Sequence, residues 1–255
     1  MSEEKRIQVW SSGGGVQSTA IAVLIAQGLL PKPDIAVIAD TGREASTTWY
    51  YIENYVQPLL DSIGVLIHRV PKQAYCKVDL YSTNDYLLIP AFTDIKGGKG
   101  KLPGWCSGEW KREVVKRFCR ETYGKQSKFS IWYGISTDEL RRVKVTEGKW
   151  QSYYPLITRR LSRSDCISLV QLAGLPTPPR SSCWMCPNRS DTEWIDLRQH
   201  APLDFLAAVD LEQQIQSQDA HVWLHSSCIP LSKVSFGKGT VDTFENFCDS
   251  GMCFV

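Results

Sequence analysis

From residue 7 to residue 67 the hydrophobic period of the chain switches repeatedly between that of a strand and that of a helix, and few folds accept such a pattern. Ile7-Gln8-Val9-Trp10 reads as a short strand, and Thr19 to Leu30 as the helix that follows it. Ile35 to Ala39 is a continuous apolar run of the kind a strand shows when both its faces are buried. Trp49 to Ile63 carries apolar residues at helical spacing, and Val65-Leu66-Ile67 reads as a third strand. Parallel strands need crossover helices, and right-handed crossovers place those helices on both faces of an open sheet. The expected fold is therefore α/β, an open, mostly parallel twisted sheet with ligands at the carboxyl ends of its strands. Phe129 to Gly134 reads as a further strand of that sheet.

The intervening segment, Tyr81 to Lys125, contains Ile95-Lys96-Gly97-Gly98-Lys99-Gly100-Lys101, which is too rich in glycine and charge for a core element and reads as a mobile loop. A helical pattern follows at Glu109 to Arg120. From Tyr154 the character changes: a helix at Ser164 to Ala173, a Pro-rich turn at Leu175 to Arg180, a cysteine pair, then a helix over Asp191 to Ala208. The expected organisation is a nucleotide-binding α/β unit over residues 1–160 and a helical, cysteine-rich C-terminal extension over 161–255, packed on the same domain. With 43% hydrophobic and 22% charged residues the chain is not disordered. Its longest apolar runs fall well short of the roughly 20 residues that cross a bilayer, so no membrane span is expected. The charged N-terminus has no apolar signal region, which points to the cytoplasm.

Between the first strand and its helix stands Ser11-Ser12-Gly13-Gly14-Gly15-Val16-Gln17-Ser18-Thr19. At such a turn backbone N–H groups and the helix dipole converge on an anion, and Ser18 and Thr19 can add hydroxyls. The loop has neither the Lys of a Walker A sequence nor the spacing of G-x-G-x-x-G, so a different phosphate loop is implied. Asp40-Thr41-Gly42 closes the second strand, where a carboxylate lies near a bound nucleotide or else caps the next helix. Asp138 and Glu139 with Arg141 and Arg142, after Gly134, suit magnesium and phosphate contacts or a solvated ion-pair turn.

Gly13 to Ser18 resembles the PP-loop of the N-type ATP pyrophosphatases, Ser-Gly-Gly-x-Asp-Ser, with Gly13 for the first Ser and Gln17 for Asp. Asp40-Thr41-Gly42 is similar to the Asp-Thr-Gly segment of the PAPS reductase family. Gly134 to Arg142 is similar to that family's Gly-x-x-x-Asp-Glu-Ser-x-x-Arg strand end, and Pro155-Leu156, Gly174-Leu175-Pro176 and Cys183-Trp184-Met185-Cys186-Pro187 follow in its order. The resemblance covers about Gln8 to Leu197 and implies an adenine nucleotide alpha hydrolase-like fold that binds ATP and Mg²⁺. It implies nucleotide contacts from Ser12, Gly13, Gly14, Gly15, Gln17, Ser18, Thr19, Asp40, Thr41 and Gly134, and catalytic roles for Ser18, Asp40, Lys111, Asp138 and Arg142.

Nine cysteines in a reducing compartment are not a disulfide framework. Cys183 and Cys186 form one C-x-x-C pair, which alone could be a redox dithiol or part of a zinc or iron–sulfur site. Family members with iron–sulfur clusters place cysteines upstream of such a pair, which makes Cys106, Cys183 and Cys186 the expected metal ligands, with a cluster favoured over zinc. Cys119, Cys248 or Cys253 could close the site, while Cys76 and Cys166 read as buried structural thiols. The four histidines show no ligand spacing.

Charge is uneven: residues 96–125 hold nine Lys/Arg against three Glu, and 191–255 hold three against ten Asp/Glu. The basic segment suits phosphates or nucleic acid. Together with Trp110 and Lys111, the resemblance is nearest to the ATP pyrophosphatases of DNA phosphorothioation systems. It implies adenylation of an acceptor for sulfur incorporation, with nucleic acid as partner, DNA favoured over RNA, and a cysteine desulfurase or other sulfur donor; assembly into a homo-oligomer is compatible with it. Alternatives are a sulfonucleotide reductase acting through Cys248 or Cys253, a tRNA thiolation enzyme, and a non-catalytic nucleotide-sensing subunit.

Overall fold

The computed structural model describes residues 5–95 and 98–237. Strand β1 (Ile7–Ser11) runs through the glycine turn into α1 (Val16–Ala26), and β2 (Ile35–Asp40) follows. A continuous helical rod then comprises α2 (Ser46–Tyr51), a widened π turn (Ile52–Val56) and α3 (Gln57–Asp61). Pro58, at the start of α3, has no N–H for the carbonyl four residues back, and the wider turn precedes it. Next come β3 (Ile67–Pro71), β4 (Ala91–Thr93), β5 (Gly100–Leu102), a π turn at Ser107–Arg112 and α4 (Glu113–Tyr123). The chain continues through β6 (Phe129–Tyr133), β7 (Trp150–Tyr153), α5 (Pro155–Thr158), α6 (Arg163–Leu172), α7 (Asp191–His200), α8 (Pro202–Gln216) and β8 (Val222–Trp223).

The main sheet has the order β3-β2-β1-β6-β7 with every neighbouring pair parallel, as the alternating periods require. Successive residues of its strands feed opposite cores. Trp10, Ala36, Ile38 and Trp132 pack with α1, the 46–61 rod and α6, whereas Val9, Val37, Phe129 and Ile131 pack with Val114, Val115 and Cys119 of α4. Helix α1 is buried on every side because α6 covers the face the sheet does not. The chain leaves β1 toward β2 on one side and returns to it with β6 on the other, so the sheet order reverses there and opens a crevice at the carboxyl ends of β1 and β6.

Several elements differ from the sequence expectations. Helix α1 starts at Val16 and stops at Ala26, four residues before Leu30, because Gly28 adopts φ +69° and Pro31 follows. The third strand lies at Ile67–Pro71 rather than at Val65–Ile67. The segment expected as a mobile loop contributes β4 and β5, which pair antiparallel with each other, and β4 also pairs with β8 from the far end of the chain. The single helix expected over 191–208 is two, since Ala201 leaves helical geometry and Pro202 opens α8. A second core gathers Leu88, Ile89, Trp110, Met185, Trp194, Leu211 and Leu224, so residues 87–91, 102–110 and 183–236 pack together beside the sheet. Among the described residues no helix is long and apolar enough to cross a membrane.

Candidate functional site

The glycine turn is held by its own hydroxyls. Gly13 N donates to Ser18 Oγ at 2.8 Å and Gly14 N to Ser12 Oγ at 3.3 Å. Gly14 stands at φ +73° against Thr48 and Ile52, where a side chain would be both strained and in collision. Gly15 caps α1 in extended geometry without a side-chain bond, and the first intrahelical bond is Thr19 N to Gly15 O at 2.9 Å. The amides of Val16, Gln17 and Ser18 precede that bond and have no acceptor within the helix, which makes this end of α1 a site for an anion.

These residues form one wall of a cleft of about 340 Å³, within the size range of small-molecule sites. Gly134, Glu139, Arg142 and Arg163 line a second side, and Pro179, Arg180, Ser181 and Glu193 a third. Three guanidinium groups face two carboxylates, so the cleft is cationic, as a polyphosphate requires. Gln17 links two of its walls: its amide donates to Glu139 Oε2 and accepts from Arg163, both at 3.1 Å. Glu139 also pairs with Arg142, and Glu193 with Arg180. Burial works to raise the Glu193 carboxyl, but Arg180 outweighs it and holds the group below the ordinary carboxylate value. The walls meet closely. A methyl group on Gly134 would stand 3.3 Å from Ser18 N, and one on Gly15 would stand 2.6 Å from Ser181 Oγ.

Ser181 leads directly into the cysteine pair. Residues 43–45 and 182–184 pair as short antiparallel neighbours, with a bridge between Glu44 and Cys183 and a bond from Trp184 N to Arg43 O of 2.9 Å. The Cys-x-x-Cys turn is thereby fixed to the carboxyl end of β2, next to the glycine loop. Glu44 is the hub. Its Oε1 accepts from Lys111 Nζ at 2.9 Å and from Thr41 Oγ1 at 3.2 Å, and the Cys183 thiol lies 3.8 Å away. Lys111 and Glu44 also line a small hollow with Ser11, Ser12 and Gly13, immediately behind the glycine turn. Burial works to lower the Lys111 ammonium, yet Glu44, Cys183 and Cys106 outweigh it and raise it above the ordinary lysine value. The pair is therefore a buried ion pair, with side chains 11% and 2% exposed.

Cys106, Cys183 and Cys186 converge on this place from two distant segments. Burial, then the neighbouring Cys186, push the Cys106 thiol up to about 12. Burial and Glu44 raise Cys183, with smaller contributions from Cys186 and Cys106. Among the described residues, no three His, Cys, Asp or Glu side chains are close enough together to hold a single metal ion. Three thiol donors brought to one place are chemistry that fits an iron–sulfur cluster. Glu44 Oε2 and Ser182 Oγ are buried beside these thiols without a hydrogen-bond partner among the described residues, polar atoms of the kind that surround such a group.

Of the sequence-predicted site residues, Gly13, Gly15, Gln17, Ser18, Gly134 and Arg142 line the cleft, Ser12 and Gly14 shape its turn, and Lys111 lies behind it. Four are employed elsewhere. The Asp40 carboxylate accepts from Arg69 Nε and Gly42 N, both at 2.8 Å, and Asp40 does not line the cleft. Asp138 accepts from Arg163 N at 2.6 Å near the start of α6, leaving Glu139 as the carboxylate that faces the cleft. Thr19 Oγ1 turns back to Gly15 O at 3.1 Å, and Thr41 points to Glu44 and to Cys183. Cys248 and Cys253 lie outside the described residues. Sequence reasoning missed Glu44, Arg163, Arg180 and Ser181; the nearest signal for the last two was their place where the Pro-rich turn ends, just before the cysteine pair.

Neither a protein-family model nor a curated protein matches the chain. Among solved structures, it is similar to phosphoadenylyl-sulfate (PAPS) reductase from Candida auris in its phosphate complex, at 12% identity and a TM-score of 0.44, over 71% of this chain and 83% of that one. It is also similar to the U34-tRNA thiolase NcsA from Methanococcus maripaludis with its 4Fe-4S cluster, at 16% identity and a TM-score of 0.46, over 84% of this chain and 73% of that one. At these identities neither structure assigns a role to any residue of this chain.

Proposed function

We propose that the protein is an ATP pyrophosphatase of the PP-loop type that adenylates a nucleic-acid acceptor so that sulfur can replace the activated oxygen, as in DNA phosphorothioation. One observation carries the reading: the amide-presenting start of α1 and the segment leading into Cys183 are adjoining walls of a single cationic cleft. In this reading the Val16 to Ser18 amides bind the polyphosphate, and Arg142, Arg163 and Arg180 neutralise charge on the leaving pyrophosphate. Glu139 is the carboxylate available to Mg²⁺. An acceptor oxygen attacks the α-phosphorus, the bond to the bridging oxygen breaks, and pyrophosphate departs with its electron pair. Sulfide then displaces AMP from the acceptor. Positioning and charge neutralisation carry most of the catalysis in such transfers. Cys106, Cys183 and Cys186 would hold an iron–sulfur cluster, which supplies a site for the sulfur.

Two measurements on anaerobically purified protein test this. Titration with Mg²⁺-ATP should show binding, and pyrophosphate should appear when a sulfur donor and an acceptor nucleic acid are added. Absence of ATP binding overturns the proposal. Iron and acid-labile sulfide analysis should show both elements in wild type and neither in a Cys183→Ser/Cys186→Ser variant; zinc without sulfide would reject the cluster.

A further inference from the structure

The basic segment of the sequence does not form a continuous strip. Lys111 is buried against Glu44, Lys99 donates to Ser227 O at 2.7 Å, and Arg117 donates to Tyr75 O. Other cations of that segment, joined by Lys144 and Lys149, gather at the edge of the main sheet. Arg112 and Lys116, either side of the start of α4, face Lys144, Thr146 and the edge strand β7 across a groove of about 110 Å³. Ile131, Tyr133 and Ile135 form its floor, and Trp150, Ser152 and Tyr154 its outer wall. Trp150 is stacked on Phe129 at 4.4 Å and 9°, and Lys116, Arg120 and Lys149 surround its ring at 5.6, 5.3 and 6.0 Å. An anchored indole thus holds three ammonium or guanidinium groups at one place. No carboxylate lines the groove among the described residues. The nearest described one on α4, Glu113, bonds Arg112 at 3.4 Å and Lys116 at 3.5 Å from the side.

Arg142 lines both this groove and the glycine-loop cleft. The two are therefore adjacent through one guanidinium. Cations, hydroxyls and an indole, with no carboxylate among the described lining residues, make a surface that suits a phosphate-bearing backbone. We infer that this groove seats the phosphodiester backbone of the acceptor nucleic acid, with Lys116, Lys144 and Arg112 on successive phosphates and Arg142 at the point where the strand enters the nucleotide cleft. The inference rests on the proposed adenylation of a nucleic acid and adds the path by which the acceptor arrives.

The test compares wild type with Lys116→Ala/Lys144→Ala, neither residue being part of the nucleotide cleft. Binding of fluorescent single-stranded DNA, duplex DNA and single-stranded RNA is measured by anisotropy over a range of salt, with ATP titrated in parallel. The double variant should bind at least one of these nucleic acids roughly fivefold more weakly, and its slope of log affinity against log salt should fall by about 1.4 for a single strand, 0.7 for each lost phosphate contact. Its ATP affinity should stay within twofold of wild type. Unchanged nucleic-acid affinity and slope in the double variant, with ATP binding intact in both proteins, overturn the groove alone. Failure of wild type to bind ATP overturns the adenylation reading instead. Urea unfolding of the variant, unchanged in midpoint, separates a lost contact from a lost fold.

Discussion

Gly15→Ala is the most direct probe of whether the glycine loop and the thiol segment enclose one site. The added methyl would stand 2.6 Å from Ser181 Oγ and 3.4 Å from Ser181 Cβ. The first distance is a collision and the second an ordinary contact, so nearly all the conflict lies with one hydroxyl. Overpacking of this kind costs about 1–3 kcal/mol, and because Ser181 can turn its hydroxyl aside the lower half of that range applies. If the strain separates the two walls, about 1–2 kcal/mol corresponds to a roughly five- to thirtyfold loss of ATP affinity. The companion change is Ser181→Ala, which deletes the colliding atom. Titration calorimetry with Mg²⁺-ATP on wild type, both single variants and the double variant completes the cycle. The expected result is a weakened Gly15→Ala, a near-normal Ser181→Ala and a double variant restored to within a few-fold of wild type. A Gly15→Ala protein that binds ATP normally, or one that Ser181→Ala fails to rescue, refutes the close approach of the two segments.

Other consequences follow from the same contacts. Glu44→Ala strands the buried Lys111 ammonium and should lower stability to urea by about 3–5 kcal/mol, while Glu44→Ala/Lys111→Met should recover much of it. Gln17→Ala removes the amide that joins Glu139 to Arg163 and should cost about 1–3 kcal/mol, read in the same assay. Asp79 is held below the ordinary carboxylate value chiefly by Arg43, and also by Lys72, against opposition from burial. Its contribution is present above the unfolded value near pH 4 and is lost as pH falls through the lower folded value, so the gap between wild type and Asp79→Asn should close below pH 4; it is about 1 kcal/mol or less, since the carboxylate is largely exposed. Burial pushes the thiols of Cys119 and Cys166 up to about 12, so iodoacetamide at pH 8 should leave both unlabelled in the native protein and label both in urea.

The parallel sheet was legible because its signal is local. Ile35 to Ala39 needs only its own five side chains to declare a strand buried on both faces, and the glycine turn lies where one strand pattern ends and a helix pattern begins. Elements defined by distant partners were not legible. Strand β4 has three residues and lies between β5, itself part of the glycine- and lysine-rich stretch, and β8, some 130 residues later, so the local pattern does not announce it. Strand β7 is a short edge strand with no fully buried residue, so it lacks the apolar run that marks β2. Proline at the first turn of α8 is as compatible with a helix start as with a loop, which is why residues 191–208 read as one helix. In the site, Ser18 and Gly13 follow from the turn itself, whereas Asp40 sits at the expected strand end and still turns away. Arg69, on the neighbouring strand, supplies a partner that the sequence around Asp40 does not contain.

Glu44 shows why the two halves of the site cannot be understood separately. Its carboxylate is among the least exposed in the described structure, and charge is not buried without compensation. Lys111 supplies that compensation from the turn that follows Cys106, and Cys183 is paired through its backbone with Glu44 itself. One ion pair thus joins the upstream cysteine's segment, the downstream cysteine's segment and the end of β2, and its hollow is shared with Ser12 and Gly13 of the glycine turn. A surface pair would exert little force on such an arrangement, because water would accept either partner. Here neither partner can leave without stranding the other in a low-dielectric interior, so a displacement at the thiols must be followed by Lys111, by Glu44 or by the loop. Glu44 Oε2 is buried with no hydrogen-bond partner among the described residues, so the carboxylate has one more valence to offer. Any group bound there that donates to it, or repels it, changes the balance at Lys111 and hence the wall behind the glycine turn. On the proposed function, loading the thiol centre should change the affinity for Mg²⁺-ATP through this carboxylate, by the same factor in both directions, and ATP titration of iron-loaded against iron-free protein measures it.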